Sequence, residues 1–260
     1  VHRFLSSSHQ RDRSRSTLSE AHGLYYRHYL VYGHQRNVGP LVAVKVKAQV
    51  GSRLWRRIMW KYLRFAYIHW TWIPITVVGF VLGGWWAWSG FVYLFAVGVG
   101  GEVITRNWRD ETTPKYSYPI IHDLIVYSVV IGHVLALFVA TWVCSNADVL
   151  GFGQQLNSFL ATGGIGLDVF AARDANLWYG YLGIGMSLGG VLGVSGISAA
   201  HELTHRTAHP VALWFGRWDF ALMFGTNFAT EHVFGHHKNL GYARIDTVSP
   251  KRGVGFYEFL

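Results

Sequence analysis

The chain has 260 residues, 51 % of them hydrophobic and only 14 % charged, against roughly 25 % charge in an ordinary globular domain. The charge deficit falls in glycine-rich apolar runs, which excludes an ordinary water-soluble domain and points to lipid as the solvent. Net charge is +9, and residues 1–64 carry thirteen Lys/Arg against Asp12 and Glu20, a balance that favours anionic lipid on the cytoplasmic side over nucleic acid.

Residues 1–20 are polar and Ser/Arg-rich, with the composition of a disordered segment. His9, His22, His28 and His34 read as surface or interfacial residues rather than ligands. Leu54 to Phe65 alternates apolar and basic faces, a pattern suited to lying along the bilayer surface. Residues 1–65 are therefore read as a basic N-terminal region, partly disordered and then interfacial.

The first long apolar block, Ala66 to Gly101, is too long for one span of about 20 residues and short for two. Gly83-Gly84 near its centre suggests a hairpin of two short spans, about 66–83 and 85–101. Arg106, Arg109 and Lys115 follow it, and basic loops favour the cytoplasm, so two passes keep both basic regions on one side. A third span fits residues 120–143. It carries His122, Asp123 and His133, polar groups expensive to expose to lipid.

Residues 145–176 read as an external loop with a surface helix around Leu156–Phe170. A fourth span covers about 177–200, where repeated glycines allow close helix contact. By parity it ends in the cytoplasm, immediately before His201. Residues 211–230 could cross by length, but Arg217 and Asp219 lie mid-segment, and a crossing would part His232 from His201. A bent or interfacial helix meets both conditions.

Five histidines then fall in two clusters, His201 and His205 in HELTHR, and His232, His236 and His237 in EHVFGHHK. On an α-helix, residues four apart share a face, so each cluster presents a pair of imidazoles in one direction. Imidazole suits iron and zinc alike. HELTH matches the HExxH pattern of zinc proteases, in which the glutamate is general base. One zinc needs a third ligand and an open position. The second cluster offers more imidazoles than that, so two metals fit the count better, and iron makes such a site an oxygen activator. The lone Cys144 excludes an internal disulfide, a thiolate metal site or an iron–sulfur cluster within this chain.

These boxes also carry a resemblance. HELTHR at 201–206 and EHVFGHH at 231–237 resemble the first two histidine boxes of the membrane-bound fatty acid desaturase/hydroxylase superfamily. The gap from His232 to His236, with Gly235 before the final pair, is similar to the alkane 1-monooxygenase branch. So is the following run with Asp246, Ser249, Arg252-Gly253 and Tyr257-Glu258-Phe259. The resemblance implies an all-α, multi-span membrane protein with a cytoplasm-facing di-metal site in a bacterial inner membrane. It implies two non-haem Fe ions and insertion of one oxygen atom of O2 into a terminal C–H bond of an alkane or alkyl chain. Electrons would come from a rubredoxin-type or ferredoxin-type partner served by an NAD(P)H-dependent reductase; no nucleic acid partner is expected.

The expected metal ligands are His201, His205, His232, His236 and His237, with Glu202 and Glu231 either orienting an imidazole or binding directly, and Asp246 orienting a ligand or building the cytoplasmic cap. The pattern departs from the family in two places. Val254 follows Arg252-Gly253 where an acid is usual, and no histidine follows His237. Five imidazoles fall short of the family's shell, so residues 66–260 read as an incomplete domain of a longer parent, inactive alone. A desaturase or aromatic-methyl monooxygenase keeps the same iron chemistry. A single-zinc intramembrane protease and a non-enzymatic haem or metal carrier are the alternatives from other classes.

Overall fold

The structure is a computed structural model that describes residues 40–105, 118–242 and 245–259; for 40–58, 61, 64 and 105 it describes the backbone alone. Residues 1–20, His22, His28, His34, Arg106, Arg109 and Lys115 lie outside the described residues. The chain divides into two compact units, 1–60 and 61–260. Every regular element among the described residues is helical.

Helix α1 (Pro40–Leu82) is 43 residues long, and Leu54–Phe65 is continuous in it with the apolar stretch that follows. Among the described residues, four stretches are long and apolar enough to cross a membrane: Phe65–Leu82, Gly84–Ile104, Pro119–Val143 and Trp178–Thr204. These are the features of an integral membrane protein.

The chain turns at Gly83 and Gly84, whose φ values of 69° and 53° lie in the left-handed region that side chains disfavour. A short 3₁₀ turn, Gly84–Trp88, leads into α2 (Ser89–Thr105). Trp72 Nε1 donates to the Gly90 carbonyl at 2.8 Å and Ser89 Oγ to the Ile75 carbonyl at 3.0 Å, so α1 and α2 run antiparallel. In lipid such bonds replace the hydrophobic drive between helices, at about 0.6 kcal/mol each on average.

Helix α3 (Pro119–Val143) runs parallel to α1: the Tyr118 N–H donates to Tyr62 Oη at 2.8 Å and Trp70 Nε1 to Ser128 Oγ at 2.9 Å. At its far end two short helices, α4 (Phe152–Thr162) and α5 (Val169–Asp174), stand where one surface helix was expected. Asp148 holds this cap by accepting from Trp142 Nε1 at 2.9 Å and the Gly153 N–H at 2.7 Å. Buried Trp142, packed on Phe152 and Phe170, joins it to the core.

The fourth span is made of α6 (Trp178–Gly190), a π-helical turn (Val191–Gly196) and α7 (Ile197–Thr204). It runs antiparallel to α1 and parallel to α2, with Ser187 Oγ accepting from the Phe91 N–H at 3.0 Å and donating to the Ala87 carbonyl at 2.7 Å. The π turn adds a residue to the coil and rotates everything beyond it on the helix surface.

Helix α8 (Pro210–Leu222) starts on a proline, suited to a first turn whose N–H would be unpaired anyway. At 13 residues it spans about 20 Å, less than a hydrocarbon core of roughly 30 Å. It packs back along α7. A Cβ on Gly216 would lie 3.0 Å from the Ala200 carbonyl oxygen and 2.9 Å from Thr204 Cγ2, so glycine permits that approach. The chain reverses at Phe224 (φ 60°), and α9 (Phe228–Thr230), a second π turn (Glu231–His236) and α10 (His237–Asn239) follow, bringing His232 and His237 to the end of α7. A last short helix, α11 (Phe256–Phe259), follows.

Candidate metal centre

The end of α7 and the return from α8 bring four imidazoles together. One nitrogen from each of His201, His205, His232 and His237 lies within 4.8 Å of the others. His201 Nε2 is 2.7 Å from His232 Nε2 and 3.1 Å from His205 Nε2, and His237 Nε2 is 3.0 Å from His232 Nε2. Protons can satisfy such nitrogens only in pairs, whereas one cation satisfies all four lone pairs at once. Four nitrogens around a tetrahedral ion with bonds of about 2.1 Å stand about 3.4 Å apart. Three of the pairs are closer than that and all lie within 4.8 Å, so ring rotations would admit an ion.

His232 is the most crowded of these rings. Burial, then the neighbouring imidazoles of His201, His237, His205 and His236, lower its pKa from 6.5 to about 4. It is therefore neutral at physiological pH, the state in which a ring donates a lone pair to a metal. Phe228 stacks on it at 4.9 Å and closes its side toward the apolar core.

The second cluster does not pair as α-helical spacing implies. His232 and His236, four apart, would share a face of an α-helix. In the Glu231–His236 π turn the hydrogen bonds span five residues, so His232 and His237 align instead. His236 turns aside, its Nδ1 donating to Asp246 Oδ1 at 2.8 Å. Of the five expected ligands, four converge and His236 stands beside them, 5.5 Å from His232 between ring centroids.

Asp246 is nearly buried and ties the downstream loop into a cradle. It accepts from Ser249 Oγ at 2.6 Å, and from the Gly241 and Val248 N–H groups at 3.0 and 3.1 Å. The Ser249 bond first, then His236 and the two backbone bonds, outweigh burial and hold its carboxyl well below the usual range. An ionised Asp246 fixes the proton of His236 on Nδ1 and leaves the lone pair on Nε2.

Glu202 takes another part. Its Oε1 accepts from Arg206 Nη2 at 2.9 Å, and Arg206 Nη1 also pairs with Asp123 near the start of α3. Arg206 thereby locks the first box to α3. Glu231 lies exposed at the start of its π turn. His122 packs its ring against Tyr62 and Phe65, at 4.9 and 5.1 Å.

Two curated proteins match part of this chain. Alkane 1-monooxygenase 1 of Pseudomonas aeruginosa is 36 % identical over 92 residues, 35 % of this chain and 24 % of its own length. Alkane 1-monooxygenase 2 of the same organism is 35 % identical over 83 residues, 32 % of this chain and 22 % of its own. Over that stretch the chain is similar to alkane 1-monooxygenases. The match spans only about a quarter of either relative. No family model matches the chain, and no solved structure does.

Proposed function

We propose that this chain carries part of a non-haem di-iron centre of a membrane monooxygenase. That enzyme would insert one oxygen atom of O2 into the terminal C–H bond of an alkane or alkyl chain. The observation that carries the reading is the convergence of His201, His205, His232 and His237 at one end of four apolar helices, in a chain similar to alkane 1-monooxygenases.

The donor set fits iron. Four neutral-capable imidazoles meet at one point, and a fifth, His236, presents its Nε2 beside them. When bound, the iron would supply activation of O2 with electrons from a rubredoxin-type or ferredoxin-type donor and its NAD(P)H-dependent reductase. The chain's own residues position and protect. Arg206 anchors the first box through Glu202 and Asp123, Asp246 orients His236, and Phe228 keeps an apolar wall against His232. An apolar substrate tail gains roughly 0.8 kcal/mol per buried CH2 wherever it lies, so the oxidised position must be set by the shape of its site. The basic balance of residues 1–64 supports a cytoplasmic placement of the boxes in a bacterial inner membrane.

The single-zinc protease fits less well. There the glutamate of HExxH faces the metal-bound water, but Glu202 is engaged by Arg206. Metal analysis of the full-length protein purified from membranes tests the reading. Two irons per chain, lost in His205→Ala and His237→Ala, together with oxidation of a medium-chain alkane to its 1-alcohol, is the expected result. One tightly held zinc that survives His237→Ala would sink it.

A further inference from the structure

Inside the membrane-spanning part, away from the histidine boxes, four polar side chains from four elements form an unbroken hydrogen-bonded line. His69 Nδ1 on α1 lies 2.7 Å from Ser195 Oγ in the first π turn. Ser195 Oγ lies 2.9 Å from His133 Nε2 on α3, and His133 Nδ1 lies 2.8 Å from Asp219 Oδ1 on α8. His133 and Asp219 are 0 % exposed and Ser195 1 %; of the four, only His69 is half-buried. Asp219 Oδ2 is buried without a partner.

The order Asp219, His133, Ser195 is that of a serine hydrolase triad. Here it cannot serve acyl transfer, because Ser195 is sealed from any substrate and its oxygen is shared with His69. Another chemistry is open to it. The line can be drawn with its protons in two ways, and both satisfy every bond. In the first, His69 Nδ1–H donates to Ser195, Ser195 O–H to His133 Nε2, and His133 Nδ1–H to Asp219, leaving the line with a net charge of about −1. In the second, His133 is an imidazolium that donates to both Asp219 and Ser195, and the Ser195 hydroxyl donates back to His69 Nδ1. The second holds one proton more and is neutral overall.

The membrane interior decides between them. A carboxylate there with one hydrogen bond and one bare oxygen is costly, and pairing it with an imidazolium removes the net charge. The ionisable groups that meet in the line are His69 from α1, His133 from α3 and Asp219 from α8, with Ser195 from the π turn. Arg217, two residues before Asp219 and so on the opposite side of α8, is exposed. His201 lies about 9 Å further along its helix from Ser195.

We propose that His69, Ser195, His133 and Asp219 form a binding site for a single proton, which enters at His69 Nε2 and rests on His133 against Asp219. On entry the His69 ring takes the proton on Nε2 and passes its Nδ1 proton to Ser195. Ser195 passes its own to His133 Nε2. One proton enters, one is stored, and no electron moves. The stored proton joins α8, which leads into the second histidine cluster, to α3. This site does not depend on the metal reading, and its test uses no activity.

The experiment is ¹⁵N NMR of histidine-labelled protein in lipid bilayers at about pH 8.5, where an ordinary imidazole is only about 1 % protonated. The expected spectrum keeps one imidazolium per chain, lost in His133→Gln and in Asp219→Asn. Ser195→Ala is expected to keep that imidazolium but slow its exchange with D2O at least tenfold. The wild-type spectrum needs no variant to fold: neutral rings throughout would overturn the proposal. So would an imidazolium that persists in Asp219→Asn. Unchanged exchange in Ser195→Ala would overturn the entry through His69.

Discussion

His237 Nε2 lies 3.0 Å from His232 Nε2, five positions apart on a π-helical turn, while the intervening His236 turns to Asp246. This one local feature decides which imidazoles of the second cluster meet those of the first. An α-helical turn would present His236 in place of His237, and the second cluster would approach with a different ring.

His237→Ala is therefore expected to abolish metal retention, because it removes a member of the converging group. Asp246→Asn leaves all five rings in place but loosens the orientation of His236. It is expected to weaken metal binding about 10–100-fold without releasing it. Competition with a graded series of chelators checks both variants in one assay.

Arg206 holds Asp123 and Glu202 together at the mouth of α3 and α7. Arg206→Ala leaves two carboxylates without their fork and is expected to destabilise the protein by about 1–2 kcal/mol. Arg206→Lys keeps the charge but cannot reach both acids in a planar fork, so it should recover only part of the loss. Thermal unfolding in detergent measures each step.

Gly216 lets α8 lie against α7. Adding a methyl at a site 3.0 Å from the Ala200 carbonyl oxygen should push the helices apart, at about 1–3 kcal/mol for Gly216→Ala. Because α8 leads into the second cluster, metal affinity should fall together with stability. A drop in melting temperature with unchanged metal affinity would refute the coupling.

His232 makes the metal-free protein sensitive to acid. Its folded pKa is lowered from 6.5 to about 4, so between those values the unfolded chain binds a proton that the folded ring refuses. Stability should fall as pH drops from 6.5 toward 4 and level off below. Above 6.5 both states are neutral and the ring contributes no slope. Melting temperatures of metal-free protein at pH 7.5, 5.5 and 4 check the sign, and His232→Phe should flatten the curve.

Much of the architecture was legible from composition. Four apolar runs, a glycine pair between the first two, and histidines just after the fourth needed no tertiary contact to be seen. Lipid imposes this, because a crossing segment must satisfy its own backbone bonds and shows as a long apolar run. Asp219 and His133 also stood out in sequence, each as a polar residue in an apolar stretch. Their pairing with each other and with Ser195 and His69 did not, since the four positions are spread over 150 residues of chain.

The sequence alone determined that the protein is helical, lives in lipid, and carries two histidine clusters that can meet. Only the tertiary structure decided which rings meet. Two π turns, Val191–Gly196 and Glu231–His236, shift the helix phase by a residue, a change with no period or composition of its own to read. The close packing of α7 on α8 then sets those shifted faces against each other, and that contact is a property of the fold rather than of either segment.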